Sequence, residues 1–114
     1  MSTATTHAPR RSAFVTGGTA GLGAAIAIAL ADQGYDVAIS ERPQLMAGLA
    51  ATLAAIEKAG GRAHAVPLEL ASMASIEAAA ASVFDAHGHI DVLVNSAAAP
   101  LHKAALELTP DEWD

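Results

Sequence analysis

Thr16-Gly17-Gly18-Thr19-Ala20-Gly21-Leu22-Gly23 lies between a short apolar run, Ala13 to Val15, and a longer apolar run of helical spacing that begins near Leu22. A strand that turns sharply into a helix needs residues without a Cβ, both for unusual backbone angles and for close approach of another group to the main chain. The start of the helix then presents free N–H groups and the positive end of its dipole. Clustered negative charge, such as a pyrophosphate, fits there. Glycine also serves in tight turns for steric reasons alone, so the flanks carry the reading: a strand before, a helix after.

Outward from this turn the pattern repeats. Leu22, Ile26 and Leu30 recur at helical spacing until Gly34, and Asp36 to Ser40 reads as a second strand. Pro43 suits a helix start, and Leu45, Leu49, Leu53 and Ile56 form its stripe before Gly60-Gly61. Ala63 to Leu68 reads as a third strand. Ser72 is placed to cap a helix carrying Met73, Ile76, Ala80, Val83 and Phe84, which Gly88 ends. Ile90 to Asn95 is a fourth, nearly all-apolar strand. Strands alternating with helices imply parallel βαβ units, and unbroken apolar strands imply a sheet covered on both faces. Further on, Thr109-Pro110-Asp111-Glu112 has the form of a capping box, and the expectation is a chain cut at the start of the next helix.

The chain has 114 residues, enough for one domain and short for a whole dinucleotide enzyme. It is 53% hydrophobic but only 4% aromatic, so alanine supplies much of the apolar count and the expected core is thin. A net charge of −6 argues against nucleic acid or an anionic membrane surface as partner. No apolar stretch is long enough to span a bilayer, because Asp32, Glu57, Glu69 and Glu77 interrupt the candidates. The absence of cysteine excludes disulfides and thiolate chemistry and fits a reducing compartment, so a cytoplasmic location is expected. Residues 1–11 are polar and aperiodic and read as a disordered leader. Arg10-Arg11 is not followed by the apolar run an export signal needs.

Glu41 falls about 20 residues after Gly21, where a dinucleotide site places an acid on the adenosine ribose. The alternative is a solvated strand-end carboxylate. Arg42 instead suits a 2′-phosphate, but Glu41 repels that group and no basic residue stands at 18–20, which favours NAD(H) over NADP(H). His87-Gly88-His89 lacks the further ligands of a metal site. His102 and Lys103 lie where a substrate mouth or an exposed loop is expected. Ser96 has no histidine at a recognisable spacing for a nucleophile.

Val15 to Gly23 closely resembles the Thr-Gly-x-x-x-Gly-x-Gly signature of the classical short-chain dehydrogenases/reductases. Ile90 to Ala98 resembles that family's fourth strand with its Asn-Asn-Ala-Gly motif, and Leu108 to Asp114 resembles the lead-in to the next helix. The likeness runs from Ser12 onward and implies an α/β, Rossmann-type doubly wound parallel sheet. Residues 12–114 are expected to supply an incomplete one, about four strands in the order 3-2-1-4. It further implies that Gly17, Thr19, Gly21, Leu22 and Gly23 surround the pyrophosphate. Glu41 and Arg42 would then choose between nicotinamide cofactors, and Glu69 and Leu70 would lie beside adenine. Asn95, Ala97 and Ala98 would line the adenosine-side ribose and the sheet centre. Glu69 stands where the family has Asp, and Ala98 where it has Gly.

The family's catalytic serine, its Tyr-x-x-x-Lys pair and an asparagine of the next helix would all fall beyond Asp114. Tyr35, the single tyrosine, has Ile39 where the lysine would be, so no catalytic residue is assigned. The expectations are therefore the cofactor-binding part of an NAD(P)-dependent oxidoreductase for an alcohol or carbonyl, or a truncated module that binds nucleotide or pairs with relatives without turnover. An apolar face beside the first and fourth strands is expected to lie open, with self-association as the result.

Overall fold

The computed structural model describes residues 10–19 and 21–97. Four parallel strands, β1 (Ser12–Thr16), β2 (Asp36–Glu41), β3 (Ala63–Pro67) and β4 (Val92–Asn95), lie in the order β3-β2-β1-β4, as the alternating pattern predicts. Helices α1 (Gly21–Asp32), α2 (Ala50–Lys58) and α3 (Met73–His87) connect them. β1 is buried along its whole length, and its side chains alternate between two cores. Val15 packs with Val37 and Ile39 under Ala27, Ala31, Leu49 and Ile56, while Phe14 packs with Ala38, Val66 and Leu68 under Ala79 and Val83. So α1 and α2 share one face of the sheet and α3 covers the other.

Helix rotation departs from the apolar stripes in the sequence. α1 fully buries Gly23, Ala27 and Ala31, while Ile26 and Leu30 of the apolar line pack at the margin of that core and Leu22 is 71% exposed. Small residues at i, i+4 and i+8 let the helix axis approach the sheet, which bulky side chains on that line would prevent. The helix expected from Pro43 begins as a 3₁₀ segment, Pro43–Leu49, before α2. Arg42 provides no side-chain cap, and Gly48 is the weakest helix former after Pro43. α3 starts at Ser72, whose side chain accepts the N–H of Ser75 at 3.1 Å, and ends at Gly88 with φ +84, as expected.

α3 seats Ala79 and Val83 on the sheet; Val83 belongs to the stripe read from sequence, but Met73, 67% exposed, and Phe84 and Ile76 lie outside the core, contrary to it. Leu93 on β4 is 57% exposed. Among the described residues an open apolar groove of about 290 Å³ lies between α3 and β4, lined by Phe14, Leu68, Ile76, Ala80, Ile90 and Leu93 among others. None of the described helices is long and apolar enough to cross a membrane.

At the amino end of the sheet, Asp36 gathers three segments. Its Oδ1 accepts Arg10 Nε at 2.8 Å and the Arg62 N–H at 2.9 Å, and its own N–H donates to the Arg11 carbonyl at 2.8 Å. Thus Arg10 and Arg11, assigned to the leader on sequence, are engaged with the first strand pair. Burial alone would raise the Asp36 pKa, but these hydrogen bonds and the charges of Arg10 and His87 hold it below the usual value. Burial pushes His87 down; Asp36 opposes this, while His64, Arg62 and His89 add to it. The two histidines around Gly88 diverge: His87 faces the His64 ring at 6.0 Å, and His89 pairs with Asp91 at 2.9 Å on the surface.

Both depressed pKa values act in the same direction. Between the folded and unfolded values the unfolded chain binds more protons, so stability rises with pH there. The His87 contribution is full above about pH 6.5 and that of Asp36 above about pH 4, and each is lost as pH falls below those values. Urea midpoints measured downward from about pH 8 are expected to drop in two stages, with Asp36→Asn abolishing the more acidic one. A midpoint independent of pH would contradict this.

Candidate functional site

Thr16 closes β1 and binds the exit of β4. Its Oγ1 accepts the N–H groups of Ser96 at 3.0 Å and Ala97 at 3.1 Å and donates to the Val94 carbonyl at 3.4 Å. On the other side, the N–H groups of Gly17 and Gly18 both donate to the Ser40 carbonyl at 3.0 Å. The glycine turn thus rises between the ends of β2 and β4. Its three signature glycines have three causes. Gly17 has φ +77, and a Cβ there would lie 2.8 Å from Ala97 Cα. At Gly23 a Cβ would collide with the Gly17 carbonyl oxygen. Gly21 has φ +65, and a Cβ there would enter open space, so that position keeps the backbone accessible to an outside group. α1 has no acidic residue in its first turn, which leaves its positive end uncompensated by an internal carboxylate.

Glu41 ends β2 beside this turn. Thr19 Oγ1 donates to Glu41 Oε2 at 2.6 Å, and the Arg42 N–H donates to Oε1 at 3.2 Å. The turn is also tied to α2, where the buried Thr52 hydroxyl donates to the Gly18 carbonyl at 2.8 Å. Gly48 leaves room for Thr19: a Cβ on Gly48 would lie 2.8 Å from Thr19 Cγ2.

A small cleft of about 60 Å³ at the carboxyl end of the sheet is lined by Ser40, Glu41, Arg42, Leu68, Glu69, Leu70 and Ala97. Small-molecule sites usually enclose roughly 300 Å³ or more, so these residues form one wall rather than a closed pocket. Ser40 Oγ is buried there with no hydrogen-bond partner among the described residues. The Glu69 N–H donates to Ser75 Oγ at 2.9 Å, which fixes the loop that carries Leu70. This open backbone cradle and the uncompensated helix start suit an anionic dinucleotide laid across the strand ends.

Of the residues singled out in the sequence, Glu41, Arg42, Glu69, Leu70 and Ala97 meet in the cleft, and Gly17, Thr19, Gly21, Leu22 and Gly23 form its neighbouring turn and helix start. Asn95 pairs with Thr16 in register but lines the apolar groove, on the other side of the strand end. Ala98, His102, Lys103 and the capping box at 109–112 lie outside the described residues. Tyr35 is at the opposite end of β2, where its hydroxyl accepts from Arg11 at 3.4 Å. Sequence reasoning missed Ser40, Gly48 and Thr52. Thr52 carried a signal, since it falls three residues after Leu49 and four before Ile56, on the buried line of α2.

A family model described as short chain dehydrogenase matches residues 11–114. The short-chain reductase protein NovJ of Streptomyces niveus is 39% identical over 102 residues, which cover 90% of this chain and 38% of NovJ. YusS of Bacillus subtilis, a short-chain dehydrogenase/reductase homolog, is 35% identical over 91 residues, or 79% of this chain and 82% of YusS. Among solved structures, a metagenomic short-chain oxidoreductase in complex with NADP superposes with a TM-score of 0.78 at 38% identity, covering 90% of this chain and 46% of that one. The chain thus spans less than half the length of NovJ and of the metagenomic oxidoreductase.

Two alanine substitutions separate packing from access. Gly23→Ala is expected to cost upward of about 3 kcal/mol, since a Cβ has no room against the Gly17 carbonyl. Gly21→Ala should cost only about 1–2 kcal/mol, the penalty for an L-residue at positive φ. Equal shifts in urea-unfolding midpoint would contradict the assignment.

Proposed function

The chain belongs to the short chain dehydrogenase family, and from that premise we propose that it holds a nicotinamide dinucleotide, NAD(H) in preference to NADP(H), as part of an oxidoreductase for an alcohol or carbonyl substrate. The observation that carries the cofactor choice is the Glu41 carboxylate, fixed at the end of β2 beside the glycine turn. The start of α1 at Gly21 would hold the pyrophosphate, Glu41 would accept from the adenosine ribose hydroxyls, Glu69 and Leu70 would lie beside the adenine, and Ala97 would line the ribose. Asn95, at the end of β4, lines the groove and not the cleft. When bound, the nicotinamide supplies or accepts the hydride. The chain's own residues bind and orient; proton transfer to substrate is assigned to none of the described side chains.

The metagenomic relative holds NADP, so the preference must be argued from charge. A 2′-phosphate about 4 Å from Glu41 would meet a repulsion of roughly 4 kcal/mol per unit charge at an effective dielectric of 20. Arg42 offers an attraction of similar size at the same distance, but its side chain is exposed and must be ordered first. The carboxylate is already in place. The second reading, a module that binds nucleotide or pairs with relatives without turnover, draws on YusS, of which the match covers 82%. In either reading the apolar groove beside β4 favours self-association.

Calorimetric titration tests the cofactor choice. The chain is expected to bind NAD+ about tenfold more tightly than NADP+, and Glu41→Gln should abolish that preference. Tighter binding of NADP+ by the unmodified chain would contradict it.

A further inference from the structure

We propose that Thr19 is the positioning residue for cofactor selectivity, acting through Glu41 rather than on the pyrophosphate; this rests on the NAD(H) reading above. Glutamate has one more rotatable bond than aspartate, so a carboxylate at a partly exposed strand end loses rotamer freedom when it engages a ribose. Here the ordering is done in advance. The Thr19–Glu41 distance of 2.6 Å lies in the short range of charge-assisted O–H···O⁻ bonds. The proton of the Thr19 hydroxyl is directed at Glu41 and is not available to donate to a phosphate oxygen.

Thr19 is itself held. A β-branched side chain has few χ1 options, and its methyl occupies the space that Gly48 leaves free, so the hydroxyl branch is turned towards Glu41. The chain of contacts runs from Gly48 to the Thr19 methyl, from the Thr19 hydroxyl to Glu41 Oε2, and from the Arg42 N–H to Oε1. An ionised carboxylate accepts about four hydrogen bonds. Two are made internally, which leaves capacity matching the two donors of a ribose 2′,3′-diol. A 2′-phosphate offers no such donor pair and meets a charge that cannot swing aside.

The test is calorimetry of the full chain with NAD+ and with NADP+, for the unmodified protein, Thr19→Val, Thr19→Ser, Glu41→Gln and the Val/Gln double variant. Thr19→Val, which keeps the shape and removes the hydroxyl, should lower the NAD+/NADP+ affinity ratio about tenfold, chiefly by weakening NAD+. Thr19→Ser should restore most of the ratio, and Thr19→Val should add nothing once Glu41 is glutamine. Gly48→Ala, which drives a Cβ onto the Thr19 methyl, is an independent variant expected to lower the ratio in the same direction. An unchanged ratio in Thr19→Val or Gly48→Ala, equal weakening of both cofactors, or an additive effect in the Glu41→Gln background would overturn the proposal. A chain with no preference for NAD+, or one whose preference survives Glu41→Gln, would overturn the NAD(H) reading beneath it. The two failures are therefore distinct.

Discussion

The hydroxyl of Thr16 sits at the carboxyl end of the central strand and binds the chain leaving β4 through two N–H groups at 3.0 and 3.1 Å. The next two residues, Gly17 and Gly18, bind the end of β2 through the Ser40 carbonyl. Because β1 lies between β2 and β4, these few bonds bring three strand ends to one place and force the following turn out of the sheet. The cleft, the glycine turn and the start of α1 all take their positions from that junction. A side chain at Gly17 would wedge it open against Ala97.

Close packing extends this constraint into the helices. α1 approaches the sheet on Gly23, Ala27 and Ala31, so the helix start stands directly behind the turn. Thr52 then fastens α2 to the Gly18 carbonyl. Stiffness in this region is purchased with glycine and alanine rather than with large side chains, at a modest apolar burial per residue. The other face is treated differently. α3 packs on β3 and the strands beside it, and the apolar groove towards β4 stays open among the described residues.

Much of this was legible in the sequence, for local reasons. Positive φ at Gly17 and Gly21, the Ser72 cap and the left-handed Gly88 are demands of single residues on their own backbone. The strand order follows from alternating strands and helices with few allowed crossovers. The meeting of Glu41, Glu69, Leu70 and Ala97 followed from their shared position at strand ends. What was not legible depends on helix rotation and on contacts between distant positions. The stripes on α1 and α3 located Val83 and the flanking Ile26 and Leu30, whereas the line closest to the sheet is Gly23, Ala27 and Ala31 on α1 and Ala79 on α3. Thr19 and Glu41 are 22 positions apart, and Thr52 and Gly18 are 34 apart, so no local pattern pairs them. Asn95 shares a strand end with the cleft, yet it lines the groove.

The proposed function requires a nicotinamide dinucleotide across the glycine turn and the end of β2. Amide chemical-shift mapping of the isotope-labelled chain with NAD+ tests it most directly. Saturable shifts are expected at Gly17 to Gly23, Glu41, Glu69, Leu70 and Ala97, with Asp36 and His87 at the opposite end of the sheet unmoved. Shifts confined to the groove at Ile76, Ile90 and Leu93, or no saturable shifts at all, would contradict it.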